Sequence, residues 1–87
     1  MFRLVQTSSG CPEQYDVYQG RQNVGYLSLR NGWFTAKYLG YFVYQAKTES
    51  DGVFSEEERD YQLTQACKAI LKEIEGPLYE IVQESDL

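Results

Sequence analysis

The chain has 87 residues, of which 43% are hydrophobic and 24% charged. That is one domain's worth of globular sequence, and it excludes a disordered tail, a collagen-like fibre or a two-core architecture. Histidine is absent, which excludes Ser-His-Asp triads, Cys-His nucleophile pairs and zinc sites that use imidazole.

No run approaches the roughly 20 apolar residues that a membrane span needs, and the opening Met1–Gln6 stretch is too short for a signal-peptide core. These features predict a cytoplasmic protein with no membrane attachment. The two cysteines, Cys11 and Cys67, are too few for a disulfide framework or an all-cysteine zinc site. They read as reduced thiols, although spacing alone leaves a single bridge open.

Charge is distributed unevenly. Up to Lys47 five cations face only Glu13 and Asp16, a balance of +3, whereas from Thr48 onward three cations face eleven acids, a balance of −8; together these give the net −5 of the chain. Such asymmetry marks either two surfaces with different partners or a solvated helix.

The predicted elements begin with an antiparallel β-meander of about four or five strands over residues 2–47, since aromatic and β-branched residues alternate there between closely spaced turn signals. Phe2–Gln6 is the first strand, followed by the loop Thr7–Pro12. Tyr15–Tyr18 comes next, then a turn at Gly20–Asn23 and a strand at Val24–Arg30. Asn31-Gly32 is the strongest local signal, because a type I′ hairpin needs two residues that tolerate positive φ. Trp33–Leu39 therefore returns antiparallel, Gly40 marks a turn or bulge, and Tyr41–Lys47 closes the meander. The α+β fold class follows from a single long helix after this sheet.

Alternation assigns the faces. Tyr15, Val17, Leu27, Leu29, Phe34 and Ala36 form the inward set, continued by Phe42 and Tyr44. A bulge near Gly40 would substitute Tyr41 and Val43 for that last pair. Asp16, Tyr18, Tyr26, Ser28, Arg30, Trp33, Thr35 and Lys37 fall on the outer face.

The polar segment Thr48–Gly52 ends the sheet. Ser55-Glu56-Glu57-Glu58 matches a capping box and starts an amphipathic helix over about residues 55–75. Leu63, Ala66, Cys67, Ile70, Leu71 and Ile74 share one face of it, and Gly76-Pro77 terminates it. A short C-terminal element over about residues 77–84 reads as a helix begun by Pro77. The alternative is a strand at Tyr79-Glu80-Ile81-Val82 able to pair with the N-terminal one.

Few residues promise chemistry. The acids Glu49, Asp51, Glu56, Glu57, Glu58 and Asp60 have the oxygen ligands of a hard-cation site but not its spacing, so no metal is expected. Asp16 is the only acid inside the predicted strands. Cys67 lies among apolar helix positions, and Cys11 has no base to activate it. Ser8-Ser9-Gly10 lacks the glycine spacing and lysine of a phosphate loop. No catalytic residues and no cofactor are expected.

The aromatic outer face is the sharper candidate. Tyr18, Tyr26 and Trp33 with Arg30 and Lys37 are the residue types that anchor protein interfaces, which predicts a non-enzymatic interaction module binding another protein or its own copy. The same groups stack on bases and neutralise phosphates, so single-stranded nucleic acid is an alternative that the net negative charge opposes. A second alternative is a nucleic-acid mimic acting through the acidic helix surface at Glu56, Glu57, Glu58 and Asp60. The plainest reading leaves the aromatic face structural and the acids solvating.

Overall fold

The computed structural model describes all 87 residues as an α+β unit. Five strands, β1 (Arg3–Ser8), β2 (Glu13–Gln19), β3 (Gln22–Arg30), β4 (Trp33–Tyr38) and β5 (Tyr41–Lys47), precede the helix α1 (Glu56–Glu75). The strands form one antiparallel sheet in chain order, β1-β2-β3-β4-β5. The meander, the helix and its position on one face agree with the sequence reading. The strand ends differ: β1 runs on to Ser8, and β2 starts at Glu13.

Three of the connections are tight turns that require left-handed backbone, the first at Gly20 with φ of 62°. Asn31 and Gly32 have φ of 53° and 77°, as the type I′ expectation demands, and Leu39 and Gly40 repeat the arrangement with 50° and 87°. Gly40 tolerates this freely, whereas Leu39 holds it against steric cost because the β4–β5 register leaves it no alternative.

Bulges decide where the alternation breaks. One lies opposite Val17 and Tyr18, which pair with Gly25 and Asn23, so Val24 is the extra residue and swings into the core. Another lies in β5, where Ala36 pairs with Tyr44 but Lys37 pairs with Phe42, making Val43 the extra residue. The inward assignment of Phe42 is thereby corrected: it lies 66% exposed. Tyr44 does face inward, and Val43 packs beside it against the core while Tyr41 is exposed. Neither expected pair is right as a pair, because the bulged Val43 separates Phe42 from Tyr44 and turns to the core without Tyr41.

The core joins Tyr15, Val17, Val24, Leu27, Leu29, Phe34 and Ala36 of the sheet to Ala66 and Ile70 of the helix and to Phe54 of the loop before it. Phe34 meets the rings of Phe54 and Tyr44 edge-on, with centroids 5.2 and 6.1 Å away. Helix α1 lies across β4 and β5. That placement buries Ala66 and Ile70 and half-buries Leu63 and Cys67 but leaves Leu71 and Ile74 exposed, because the helix does not cover the β1 side of the sheet.

Gly25 stands too close to the β4 backbone to carry a side chain. A methyl group there would stand 2.6 Å from the carbonyl oxygen of Lys37, 3.3 Å from Val17 Cβ and 3.4 Å from Ile70 Cδ1. Backbone cannot yield as a side-chain tip can, so Gly25→Ala is expected to destabilise by about 1–3 kcal/mol. Urea unfolding should show this as a lower midpoint at unchanged slope.

The loop between β5 and α1 is tied down by backbone bonds. Gly32 N–H donates to the Asp51 carbonyl at 2.7 Å, Thr48 N–H to the Gly32 carbonyl at 2.8 Å, and Glu13 N–H to the Gly52 carbonyl at 2.8 Å. At the other end of the helix, Gly76 N–H donates to Lys72.

Beyond Gly76 the expected helix over residues 77–84 is absent, and so is the alternative strand. Residues 77–83 are irregular, and only a 3₁₀ turn follows at Glu84–Asp86. A helix this short is unstable without a surface to bury its apolar side, and Leu78 and Ile81 bury little or nothing, being 100% and 76% exposed.

Candidate interaction face

The antiparallel registers arrange the uncovered sheet face in rows perpendicular to the strands. One row crosses all five strands as Val5, Asp16, Tyr26, Lys37 and Phe42. Beside it runs a row of small and amide side chains, Ser8, Gln14, Ser28, Thr35 and Gln45. Arg30, Trp33 and Lys47 form a third row at one end, and Arg3 beside Tyr18 occupies the other. All five residues expected on this face, Tyr18, Tyr26, Arg30, Trp33 and Lys37, are therefore on it.

Their environments differ. Trp33 is 45% exposed, a large share for an indole that no element of the chain covers. Tyr26 is less open, and Tyr18 lies half-buried under the Arg3 guanidinium, 5.7 Å from its ring centroid. Lys37 places its ammonium 4.6 Å above the Phe42 ring. This cation–π pairing gives the outward Phe42 a role on the face that the sequence reading had not assigned.

Arg3, Arg30, Lys37 and Lys47 stand on this face against the single acid Asp16. The face is thus positive although the molecule is not. A shallow depression of about 250 Å³ lies over the β2–β4 strands, bounded by Asp16, Asn23, Tyr26, Lys37 and Leu39.

The acidic surface considered above is smaller than its sequence suggests. Ser55 Oγ accepts from Glu58 N–H as the capping box requires, but Glu58 does not reach back to Ser55. Its carboxylate instead accepts from Glu49 N–H at 3.0 Å, Ser50 N–H at 3.3 Å and the Ser50 hydroxyl at 2.6 Å. The Ser50 hydroxyl bond, with the two N–H donors, holds the Glu58 carboxyl below its ordinary range. Glu58 therefore fastens the loop, leaving Glu56, Glu57 and Asp60 exposed.

Sequence reasoning missed the most elaborate polar cluster, which lies on the core side. Glu13, in β2, is only 1% exposed. It accepts from Arg59 Nε at 2.8 Å, Arg59 Nη2 at 3.0 Å, the Tyr15 hydroxyl at 2.5 Å and Phe54 N–H at 3.1 Å. Asp16 is accordingly not the only acid within the strands. Four donors saturate this carboxylate, and its partners are spent on it, so the cluster joins sheet, loop and helix rather than waiting for a substrate.

Burial alone would raise the Glu13 carboxyl, but these hydrogen bonds outweigh it and leave the group below its ordinary value. Burial, with the Glu13 carboxylate beside it, pushes the Tyr15 phenol up to about 12. Every other buried side-chain polar atom also has a partner, including buried Gln62, whose carbonyl accepts from the Tyr44 hydroxyl at 2.7 Å.

Cys11 and Cys67 are unpaired thiols, the former exposed and the latter half-buried. Burial pushes the Cys67 thiol up, away from the reactive thiolate. No helix is long and apolar enough to cross a membrane. No protein-family model, no curated protein and no solved structure matches the chain.

Proposed function

We propose that the chain is a non-enzymatic interaction module whose outer sheet face binds another protein, one that presents acidic side chains around an apolar surface. The observation that carries this reading is the uncovered five-strand face itself. It combines an open Trp33, Tyr26 and Phe42 with four cations and one acid. Aromatic residues and arginine supply most of the affinity at protein interfaces, and exposed patches of this kind mark binding sites on otherwise ordinary surfaces.

The sign of the face argues for a different chain rather than a second copy on this surface. A two-fold dimer would bring two positive faces together, whereas an acidic partner gains both steering and register. The unpaired thiols suit a reducing compartment such as the cytoplasm.

The test is affinity capture from native lysate, with and without nuclease, using the natural chain and Trp33→Ala. Trp33 lies outside the core, so its loss should leave circular dichroism unchanged while weakening the partner about thirtyfold, as expected of an interface anchor worth about 2 kcal/mol. The cationic aromatic row would also suit single-stranded nucleic acid. Nuclease-sensitive recovery with a steep salt dependence would replace the protein reading with that one. A partner indifferent to Trp33→Ala would reject the face altogether.

A further inference from the structure

The second uncovered surface is a groove between β1 and α1. It has a volume of about 750 Å³ and is lined on the strand side by Phe2 and Leu4 and on the helix side by Leu63, Cys67 and Leu71. It exists because the helix sits over β4 and β5 and leaves the first strand bare. The outer edge of β1 is open as well, since β1 pairs only with β2. An open edge strand beside an apolar trough is a template for a further strand.

A segment of matching chemistry lies in the same chain. Leu78, Tyr79, Ile81 and Val82 are all exposed, following Gly76 and Pro77 away from the helix end. The molecule as a whole is elongated. Its radius of gyration is 15.3 Å and its long axis 54 Å, against a radius of about 12 Å for a compact chain of this length. In the single chain the segment's apolar residues are left uncovered.

We propose that residues 78–83 of one chain add as a sixth strand to the β1 edge of a second copy, reciprocally, so that each groove is closed by its partner's segment. The dimensions agree. The groove follows α1 from Glu56 to Leu71, about 22 Å at the helical rise, and six extended residues span about 20 Å.

Side-chain alternation and charge select the register. Phe2 and Leu4 face the groove, while Arg3 and Val5 belong to the outer face. With the new strand parallel to β1, Tyr79 and Ile81 enter the groove beside Phe2 and Leu4. Glu80 then lies beside Arg3, and Val82 beside Val5. An antiparallel strand centred on Glu80 and Arg3 makes the same match, with Ile81 beside Phe2, Tyr79 beside Leu4 and Leu78 beside Val5, so the pattern fixes the Glu80–Arg3 register in either direction. Two-fold exchange of this kind is closed, so it stops at a dimer. It leaves the Trp33 end of the outer face free and does not depend on the function proposed above.

Sedimentation velocity of the full chain across the micromolar range tests the exchange. Because these side chains are exposed, their variants leave the fold intact. The natural chain should sediment as a concentration-dependent dimer. Ile81→Asp should weaken dimerisation by about a thousandfold, because the reciprocal dimer buries two such side chains at about thirtyfold each.

Glu80→Arg should weaken dimerisation by about fivefold, and Arg3→Glu in the same chain should restore it. A dimer that resists Ile81→Asp but is lost in Trp33→Ala would place the interface on the outer face and overturn the exchange. A strictly monomeric chain whose residues 79–82 are protected from hydrogen exchange would overturn it too, in favour of docking in its own groove. A monomer without such protection would reject any use of the segment. Failure of the rescue alone would overturn the Glu80–Arg3 register.

Discussion

Arg59→Met is expected to cost about 3–5 kcal/mol in urea unfolding at neutral pH, because it removes one partner of a buried ion pair and strands the other. The guanidinium makes two of the four hydrogen bonds to Glu13, and its Nη2 also donates to the Phe54 carbonyl at 3.1 Å. The methionine stem replaces packing but no donor. Tyr15 and Phe54 N–H alone would then solvate a carboxylate that is 1% exposed. A domain of this size holds about 5–15 kcal/mol in total, so the variant stands near the edge of folding. Arg59→Lys retains the charge but not the two-pronged geometry, and a loss of about 1–2 kcal/mol keeps it measurable.

The deficit should depend on pH in a defined direction. In the natural protein the Glu13 carboxyl lies below its ordinary value, since hydrogen bonds from Arg59, Tyr15 and Phe54 N–H overcome the effect of burial. A group lowered on folding stabilises the folded state above its unfolded pKa, and this contribution is lost as pH falls through about 4 and below. In Arg59→Met burial dominates, the carboxyl rises, and acidification relieves the stranded charge. The gap between the two proteins should therefore narrow from pH 7 towards pH 4, and a gap that stays constant would contradict the assignment. At the alkaline end the Tyr15 phenol, raised by burial and by Glu13 to about 12 from 10.0, acts in the other direction. Its contribution is complete below about pH 10 and is lost as pH rises through about 12.

The parts of this molecule that could be read from sequence are those set by local pattern. Tyr15, Val17, Leu27, Leu29, Phe34 and Ala36 were placed inward by alternation and are all buried. Regular pairing between Gly25–Arg30 and Trp33–Tyr38 preserves their parity. Asn31-Gly32 specified its turn for the same reason, being a two-residue requirement met by two residues. Bulges break this logic, because an extra residue such as Val24 or Val43 looks like any other β-branched strand residue until its partner strand is known. The segment after Gly76 misled differently. Its apolar spacing permits a helix, but formation depends on a covering surface that local sequence does not specify.

The outer face was legible because it is the complement of the core face, and Phe42 was lost from it only through the β5 bulge. The Glu13 cluster was not legible, since its ion partner lies 46 residues further along the chain. A signal did exist. Glu13 occupies the inward parity of Tyr15 and Val17, and an acid at an inward position implies a buried partner. Phe54 could likewise have been suspected from an apolar pair, Val53-Phe54, set between a polar loop and a capping box.

Phe34→Ala is expected to lose about 3–5 kcal/mol, the cost of removing a fully buried aromatic and leaving its space. The ring is 1% exposed and meets both Phe54 and Tyr44 edge-on, so the vacancy opens between β4, β5 and the loop before α1. Phe54 is what makes this more than a packing loss. Its ring rests on Phe34 while its N–H donates to Glu13 and its carbonyl accepts from Arg59. Loosening the ring therefore loosens two contacts of the ion pair.

A combination of the milder variants Phe34→Leu and Arg59→Lys should consequently destabilise by about 0.5–1 kcal/mol less than the sum of their separate effects, because each weakens contacts of the same loop. Strict additivity in urea unfolding would show that the Phe34 packing and the Glu13 cluster act independently. Coupling would mean that the loop transmits helix position to β4, the strand whose opposite side carries Trp33 and Lys37. In that case Phe34→Leu should weaken binding of the partner proposed for the outer face even though Phe34 never reaches it.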